Sequence, residues 1–405
     1  MFANRFNLIN RSGSPLLNLY SLAPRSSEHH PCRFGNEFER TQKRFFHFDD
    51  SGHYSFCEFP VCNLFRRAHN SFICPTLERI GESLAMPPRL LESKHFQIKR
   101  LADGVYAAVA SEQGYASCNA GIIDIGDKTI VFDTFLTPEA ARDLLKAAGQ
   151  LTPNKITHIV NSHEHNDHIR GNQVFDSDVD IITTVLAREA IARNEPENIK
   201  LEKKTIHKEI RGAQSELDAE KDPKRRRELA LLISYMEGVS RSHCELKTRL
   251  PNITFEHDLT IHGTERTIQL LPLAGHTSSD VVLYLPKEKI AFMGDLLFVD
   301  MHPYLASGSP EQWKQSIAKV ETLGVEIAVP GHGQVGGSSD LSAMLQYIQS
   351  LESIVVNMIK SGKSSEQASS EPIPSPFDSW LCLENFFVAN LKFLYKLAAQ
   401  RNETK

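Results

Sequence analysis

Residues 161–168 read Asn-Ser-His-Glu-His-Asn-Asp-His and put three imidazoles and the Asp167 carboxylate within six positions. They follow directly on a β-branched run, residues 156–161, that predicts a strand. Such side chains pack poorly in a core, so the string is a loop at a strand's C-terminal end, where α/β folds assemble their sites. Neutral imidazoles and carboxylates are also what zinc accepts, and a tight loop can present His163 and His165 to one ion and Asp167 and His168 to its neighbour. Alone, the string fits a solvated His-rich loop equally well. Three further elements argue against that reading: Gly275-His276-Thr277, Gly294-Asp295 and Pro330-Gly331-His332-Gly333. Each follows a strand-like run and sits beside glycine, where backbone can turn sharply and approach an ion.

The surrounding pattern is that of an α/β protein. Short β-branched runs begin near residue 98, at 105–110, 121–125 and 129–133. Thr137, Pro138 and Glu139 then supply an N-cap, a first-turn proline and a first-turn acid for a helix running toward Gly149. After a strand at 179–184 the chain loses strand character over 185–250 and becomes helical and charged, with two or three amphipathic helices expected and Pro223 breaking or starting one. Strand texture returns at 253–256, 259–262, 267–272, 281–285 and 290–293. Ser309, Pro310 and Gln312 form a capping box for a helix over 311–323, and 327–329 is a last short strand. Helices at about 340–361 and 381–399 follow, joined by a Ser/Pro/Glu linker at 362–378. The organisation expected is a poorly ordered extension over 1–90, a catalytic domain over 98–335 with its helical insert, and a C-terminal helical segment over 336–405.

Composition excludes several classes of function. Hydrophobic and charged fractions of 41% and 23% are those of a globular protein with a sizeable core. A formal charge of -5 spread over the chain gives no electrostatic case for nucleic acid or an anionic membrane. The one basic run, Lys224-Arg225-Arg226-Arg227, lies in mixed-charge sequence and reads as a solvated helix face. No apolar run is long enough to span a bilayer. Seven unevenly scattered cysteines are not a disulfide framework and fit a reducing compartment. A cytoplasmic location follows, with a mitochondrial one as the alternative because the first 27 residues carry Arg5, Arg11, Arg25 and several serines but no acid. Cys57, Cys62, His69 and Cys74 match no familiar metal-ligand spacing.

The ordered pattern H-x-H-x-D-H, G-H-T, G-D and G-H-G, carried here by the residues above, resembles the metallo-β-lactamase superfamily over residues 98–335. The resemblance implies a four-layer αββα sandwich with its site at one edge, between the sheets. By position it assigns His163, His165 and His276 to a first metal, Asp167, His168 and His332 to a second, and Asp295 as a bridge between them. Asp133 matches an early aspartate that orients a ligand from outside. The activity implied is that of a dinuclear hydrolase in which a metal-bridging hydroxide attacks an ester, thioester, lactone or amide-type bond of a small-molecule substrate. Asp167 would hold the attacking water or accept its proton. Two divalent ions are implied, zinc first, with iron or manganese as alternatives.

Within that family the departures separate the substrate classes. Members that bridge with cysteine carry a lysine three residues on; here the positions are Asp295 and Phe298. Glyoxalase II shares the bridging aspartate, but its glutathione-gripping basic residues have no clear counterpart, although Lys392, Lys396 and Arg401 lie near the C-terminus. Ribonuclease Z shares the ligands and needs basic surface for tRNA. Persulfide dioxygenases hold one iron with fewer of these ligands and oxidise instead of hydrolysing, and non-catalytic members usually lose ligands. Phe298, His302 and Tyr304 are candidates to line the pocket, with ordinary hydrogen bonding the default for His302. The insert between His168 and His276 is either a lid or a peripheral or dimerising helix pair, which leaves a homodimer open. The aromatic group Trp380, Phe386, Phe387, Phe393 and Tyr395 is expected to pack a terminal helix.

Overall fold

The computed structural model describes residues 92–381 and 386–403; the extension expected over 1–90, with its arginines and its Cys/His group, lies outside the described residues. Among the described residues, alternation of apolar side chains builds two sheets. The first has seven strands in sequence order: β1 (Phe96–Ala102), β2 (Val105–Ala110), β3 (Ala120–Asp124), β4 (Thr129–Phe132), β5 (Ile156–Val160), β6 (Asp180–Thr184) and β7 (Ile253–Phe255). Pairing is antiparallel as far as β4 and parallel from β4 to β7. The second sheet runs β12 (Ile327–His332), β11 (Ile290–Phe298), β10 (Asp280–Leu285), β9 (Thr267–Leu273), β8 (Leu259–His262). It is antiparallel except for the parallel pair β11 and β12.

Successive side chains of a strand point to opposite faces, and here that period divides the core into three layers. Val105, Ala107, Ile123, Phe132 and Val160 from the first sheet meet Leu270, Leu283, Phe292 and Val329 from the second between the sheets. Their neighbours Ala108, Ile122, Val131 and Ile159 face outward onto Ala140, Leu144 and Ala148 of helix α1 (Pro138–Leu151). On the far side Leu271, Val282, Ala291 and Met293 face outward onto Trp313, Ile317, Leu341, Tyr347 and Leu391. Those five belong to α5 (Pro310–Glu321), α6 (Ser338–Lys360) and α7 (Phe386–Glu403). The result is the αββα sandwich expected. Helices α1 and α5 start where the capping residues place them: Thr137 accepts from Ala140 N and Ser309 from Gln312 N.

Several local expectations need correction. Strand β1 begins at Phe96, before the first strand signal, because its sequence Phe-Gln-Ile-Lys-Arg-Leu-Ala buries one residue fully and carries the charges of an edge strand. Strand β11 continues through Gly294 and Asp295 to Phe298. The linker at 362–378 is folded onto the helical layer, with Ala368 and Phe377 buried. The insert, by contrast, is helical as expected: two helices, α3 (Val185–Ala219) and α4 (Pro223–Ser242), with Pro223 at the start of the second and Pro196 carried inside the first. Leu136, Ile206, Ala213, Leu232, Met236 and Val239 form their shared core. No described helix is long and apolar enough to cross a membrane.

Candidate metal centre

Strands β4 and β5 run parallel, as do β11 and β12, and β9, two antiparallel steps from β11, shares their direction. Their C-terminal ends meet at one edge of the sandwich. Asp133 follows β4, His163 and His165 follow β5, and a single helical turn, α2 (Asn166–Ile169), carries Asp167 and His168. From the second sheet come His276 after β9, Asp295 within β11 and His332 at the end of β12. Two glycines let the backbone approach closely enough. Gly294 has φ +52, a left-handed conformation, and stands at a register shift in β11. At Gly331 a Cβ would lie 2.0 Å from Asp295 Oδ1. Asn119 ties the sheets together, its amide nitrogen donating to Pro330 O and Gly333 O at 2.9 Å each.

The seven side chains proposed from sequence converge in two groups, His163, His165, His276 and Asp295 in one and Asp167, His168 and His332 in the other, each with ligand atoms within 4.8 Å of one another. Asp295 faces both. Its Oδ2 is 3.1 Å from His276 Nε2 and 3.8 Å from His163 Nε2, whereas its Oδ1 is 3.2 Å from His168 Nε2 and 3.4 Å from His332 Nε2. His165 turns Nδ1 inward, 2.8 Å from His163 Nε2 and 2.9 Å from His276 Nε2. Asp167 lies 3.4 Å from His332 Nε2 through Oδ2 and 3.8 Å from His168 Nε2 through Oδ1.

Outer contacts orient these groups. Asp133, at φ 58, places Oδ2 2.8 Å from His168 Nδ1 and accepts from Ser162 N through Oδ1 at 2.7 Å. With Nδ1 paired to Asp133, a neutral His168 turns its Nε2 lone pair inward, and Nε2 and Asp295 Oδ1 are buried without hydrogen-bond partners; with no cation between them, and against the cost of burial, the neighbouring anionic groups raise this imidazole's proton affinity well above the ordinary value. Converging lone pairs and carboxylate oxygens repel unless a cation lies between them, and that is the sense in which the donor set fits divalent metal. Burial first, then the neighbouring imidazoles, holds His163 and His165 well below the ordinary imidazole value, so both are neutral donors at pH 7. Burial opposes ionisation of Asp295, yet the positive charge that His332 and then His168 carry when protonated outweighs it and keeps that carboxyl well below its usual range.

Sequence reasoning missed some of the site. Ser117, at φ 69, donates from Oγ to Asp167 Oδ2 at 3.1 Å, and its carbonyl oxygen lies 3.2 Å from His332 Nδ1. A serine in an irregular stretch carries no signal of this. Cys118 Sγ donates to the Asp167 carbonyl at 2.9 Å, and burial pushes its thiol up to about 12, so it stays protonated. Glu164, between two of the proposed ligands, joins neither group; burial and then the Asp280 charge push its carboxyl up to about 7. Phe298 does reach the site, stacked on the His332 ring at 5.0 Å and 5.9 Å from that of His276. His302 does not face it: buried, it places Nδ1 2.9 Å from Tyr347 Oη among Trp380 and Phe387. Tyr304 pairs with Phe386.

The family model of the metallo-beta-lactamase superfamily matches residues 114–332, which take in all seven candidate ligands. The chain belongs to that superfamily. Among solved structures it is similar to a metallo-beta-lactamase from Pontibacter korlensis, at 19% identity and TM-score 0.46, covering 63% of this chain and 99% of that one. It is similar also to a double mutant of the sec-alkyl sulfatase PisA1, at 17% identity and TM-score 0.55, covering 75% of this chain and 50% of that one. The metallo-beta-lactamase DIM-1 aligns at 16% identity and TM-score 0.45, over 64% of this chain and 99% of its own. At these identities the likeness is one of fold. No curated protein matches the chain by sequence. As a superfamily member this chain presents, at the edge where the two sheets meet, a His/Asp cluster suited to metal.

Proposed function

We propose that this chain is a dinuclear metal-dependent hydrolase of small molecules, with His163, His165 and His276 holding one divalent ion, Asp167, His168 and His332 the other, and Asp295 shared. The observation that carries the proposal is the Asp295 carboxylate, whose two oxygens face the two groups separately. Two such ions, zinc first among the candidates, would supply Lewis acidity and a nucleophilic water at neutral pH. The chain's own residues supply the rest. Asp167 keeps Oδ2 on the Ser117 hydroxyl, which leaves Oδ1 to orient the attacking water and take its proton. Asp133 fixes the His168 ring in the tautomer that turns Nε2 inward. Phe298, stacked on the His332 ring, and the fully buried Trp313, 5.3 Å from the His276 ring, back the ligands with apolar side chains. Where cysteine-bridged relatives carry a lysine the chain offers this phenyl ring, so the reading favours esters, thioesters and lactones over substrates gripped by a carboxylate at that position.

The fully formed Asp167, His168 and His332 group favours the dinuclear reading over a mononuclear iron oxygenase. Elemental mass spectrometry on protein purified without added metal tests it. Close to two zinc ions per chain, with turnover of at least one ester, thioester, lactone, phosphodiester or alkyl sulfate that His163→Ala abolishes, is the expected result. One iron per chain with oxygen uptake on a persulfide overturns it.

A further inference from the structure

The turn that carries Asp167 and His168 is too short to hold itself. Helix α2 has four residues, Asn166–Ile169, and its N-cap His165 makes no side-chain cap bond, whereas an isolated helical turn is unstable and its end groups need outside partners. On the sheet side Cys118 Sγ donates to Asp167 O, and Thr134 N and Asn161 Nδ2 donate to His168 O; the inserted hairpin adds side-chain partners at both ends of the turn. At the first residue, Asn166 Nδ2 donates to Tyr235 Oη of α4 at 2.9 Å and to Glu202 Oε1 of α3 at 3.2 Å, while Tyr235 Oη lies 3.2 Å from Asn166 Oδ1. Just past its last residue, Arg170 donates from Nε to Glu195 at 2.7 Å and from Nη2 to both oxygens of Glu202 at 2.9 and 2.8 Å. Glu202 thus touches both brackets.

Arg170 and Glu195 are each less than a twentieth exposed. Withdrawing a guanidinium and two carboxylates from water seldom adds net stability over a well-packed apolar cluster of the same volume. Such a network is better explained by the geometry it imposes. The side chains of the first group are placed differently: Asp295 lies within β11, His276 follows β9, and the rings of His163, His165 and His276 pack against one another at 4.5 to 4.9 Å.

We infer that Tyr235 and Glu202 are positioning residues for the Asp167–His168 turn, so that the seated hairpin sets the affinity of the second metal and leaves the first largely untouched. This makes the insert a fixed buttress, since swinging it away would strand Arg170 and Glu195 without each other. The inference rests on the dinuclear reading above.

Titration of the metal-stripped full-length chain with Co(II), followed by visible absorption in the presence of a competing chelator, tests it without reference to activity. Wild type is expected to take up two equivalents. Tyr235→Phe, which removes one hydroxyl and keeps the ring, is expected to bind the first as before and the second about tenfold more weakly, the lower end of the range for outer contacts of metal ligands. Glu202→Gln should show the same selectivity with a larger loss. A wild type that takes up fewer than two equivalents overturns the dinuclear reading and this inference with it. Two equivalents in wild type, with isotherms unchanged in both variants or with both equivalents weakened alike, overturns this inference alone; a lower melting temperature without selective metal loss marks a purely structural role.

Discussion

Asp295 can face both groups of side chains only because residue 331 has no side chain. A methyl group there would lie 2.0 Å from Asp295 Oδ1, a contact relieved only by moving the carboxylate, and 2.9 Å from the Gly294 carbonyl carbon, which belongs to strand backbone and cannot turn away. Gly331→Ala should therefore displace the carboxylate at a cost of about 1–3 kcal/mol in stability, leaving a folded protein that has lost metal. Elemental analysis beside far-ultraviolet circular dichroism checks this; a full metal complement in the variant would show that the site can yield. At this scale the sequence was most informative where chemistry is written in residue type. His163, His165, Asp167, His168, His276, Asp295 and His332 could be proposed because imidazoles and carboxylates clustered after strands are poor packing material. Ser117 could not be, because its part depends on a backbone turn at φ 69 that brings its hydroxyl to Asp167 and its carbonyl to His332.

Among the elements, the exit of β11 illustrates what local pattern leaves out. His302 lies seven positions past Asp295, and from sequence it could face the pocket or pack. The structure turns it into the helical layer, between Tyr347 of α6, Phe387 of α7 and Trp380, because the chain after β11 pairs with the segment preceding α7 through His302 N to Leu381 O. Burial, helped by the charge of Lys224, lowers its pKa to about 4. The folded protein therefore binds this proton more weakly than the unfolded chain, whose imidazole titrates near 6.5. Stability is full above about pH 6.5 and declines as pH falls through the window down to about 4, by up to about 3 kcal/mol from this group. Urea midpoints at pH 7 and pH 4.5 should fall further for wild type than for His302→Asn; parallel declines would rule out a buried neutral imidazole as the cause. The helices of the insert were likewise legible as helices, yet their docking was not, since Tyr235 and Asn166 meet only in the fold.

For the molecule as a whole, the site joins two sheets whose facing surfaces are largely apolar. His163, His165, Asp167 and His168 come from loops of the seven-stranded sheet, His276, Asp295 and His332 from the five-stranded one. Any ion held by both sets binds the folded chain and not the unfolded one, which adds about 4 kcal/mol when free metal stands at a thousand times its dissociation constant. Dialysis against a chelator should accordingly lower the melting temperature, by about 1.5 °C for each kcal/mol lost. The change should also be local. Direct contacts between the sheets at this edge are few, among them the Val281 N to Ser162 O bond at 2.7 Å and the Asn119 bonds to the strand end that carries His332. Away from the edge Phe132, Ile123, Leu283 and Phe292 keep the sheets packed with no help from metal. Hydrogen exchange after metal removal should thus quicken at the C-terminal ends of β5, β11 and β12 and stay unchanged at their opposite ends. Exchange that rises evenly along those strands would mean that metal supports the whole sandwich, and the division between an apolar core that folds the chain and a polar edge that works would not hold.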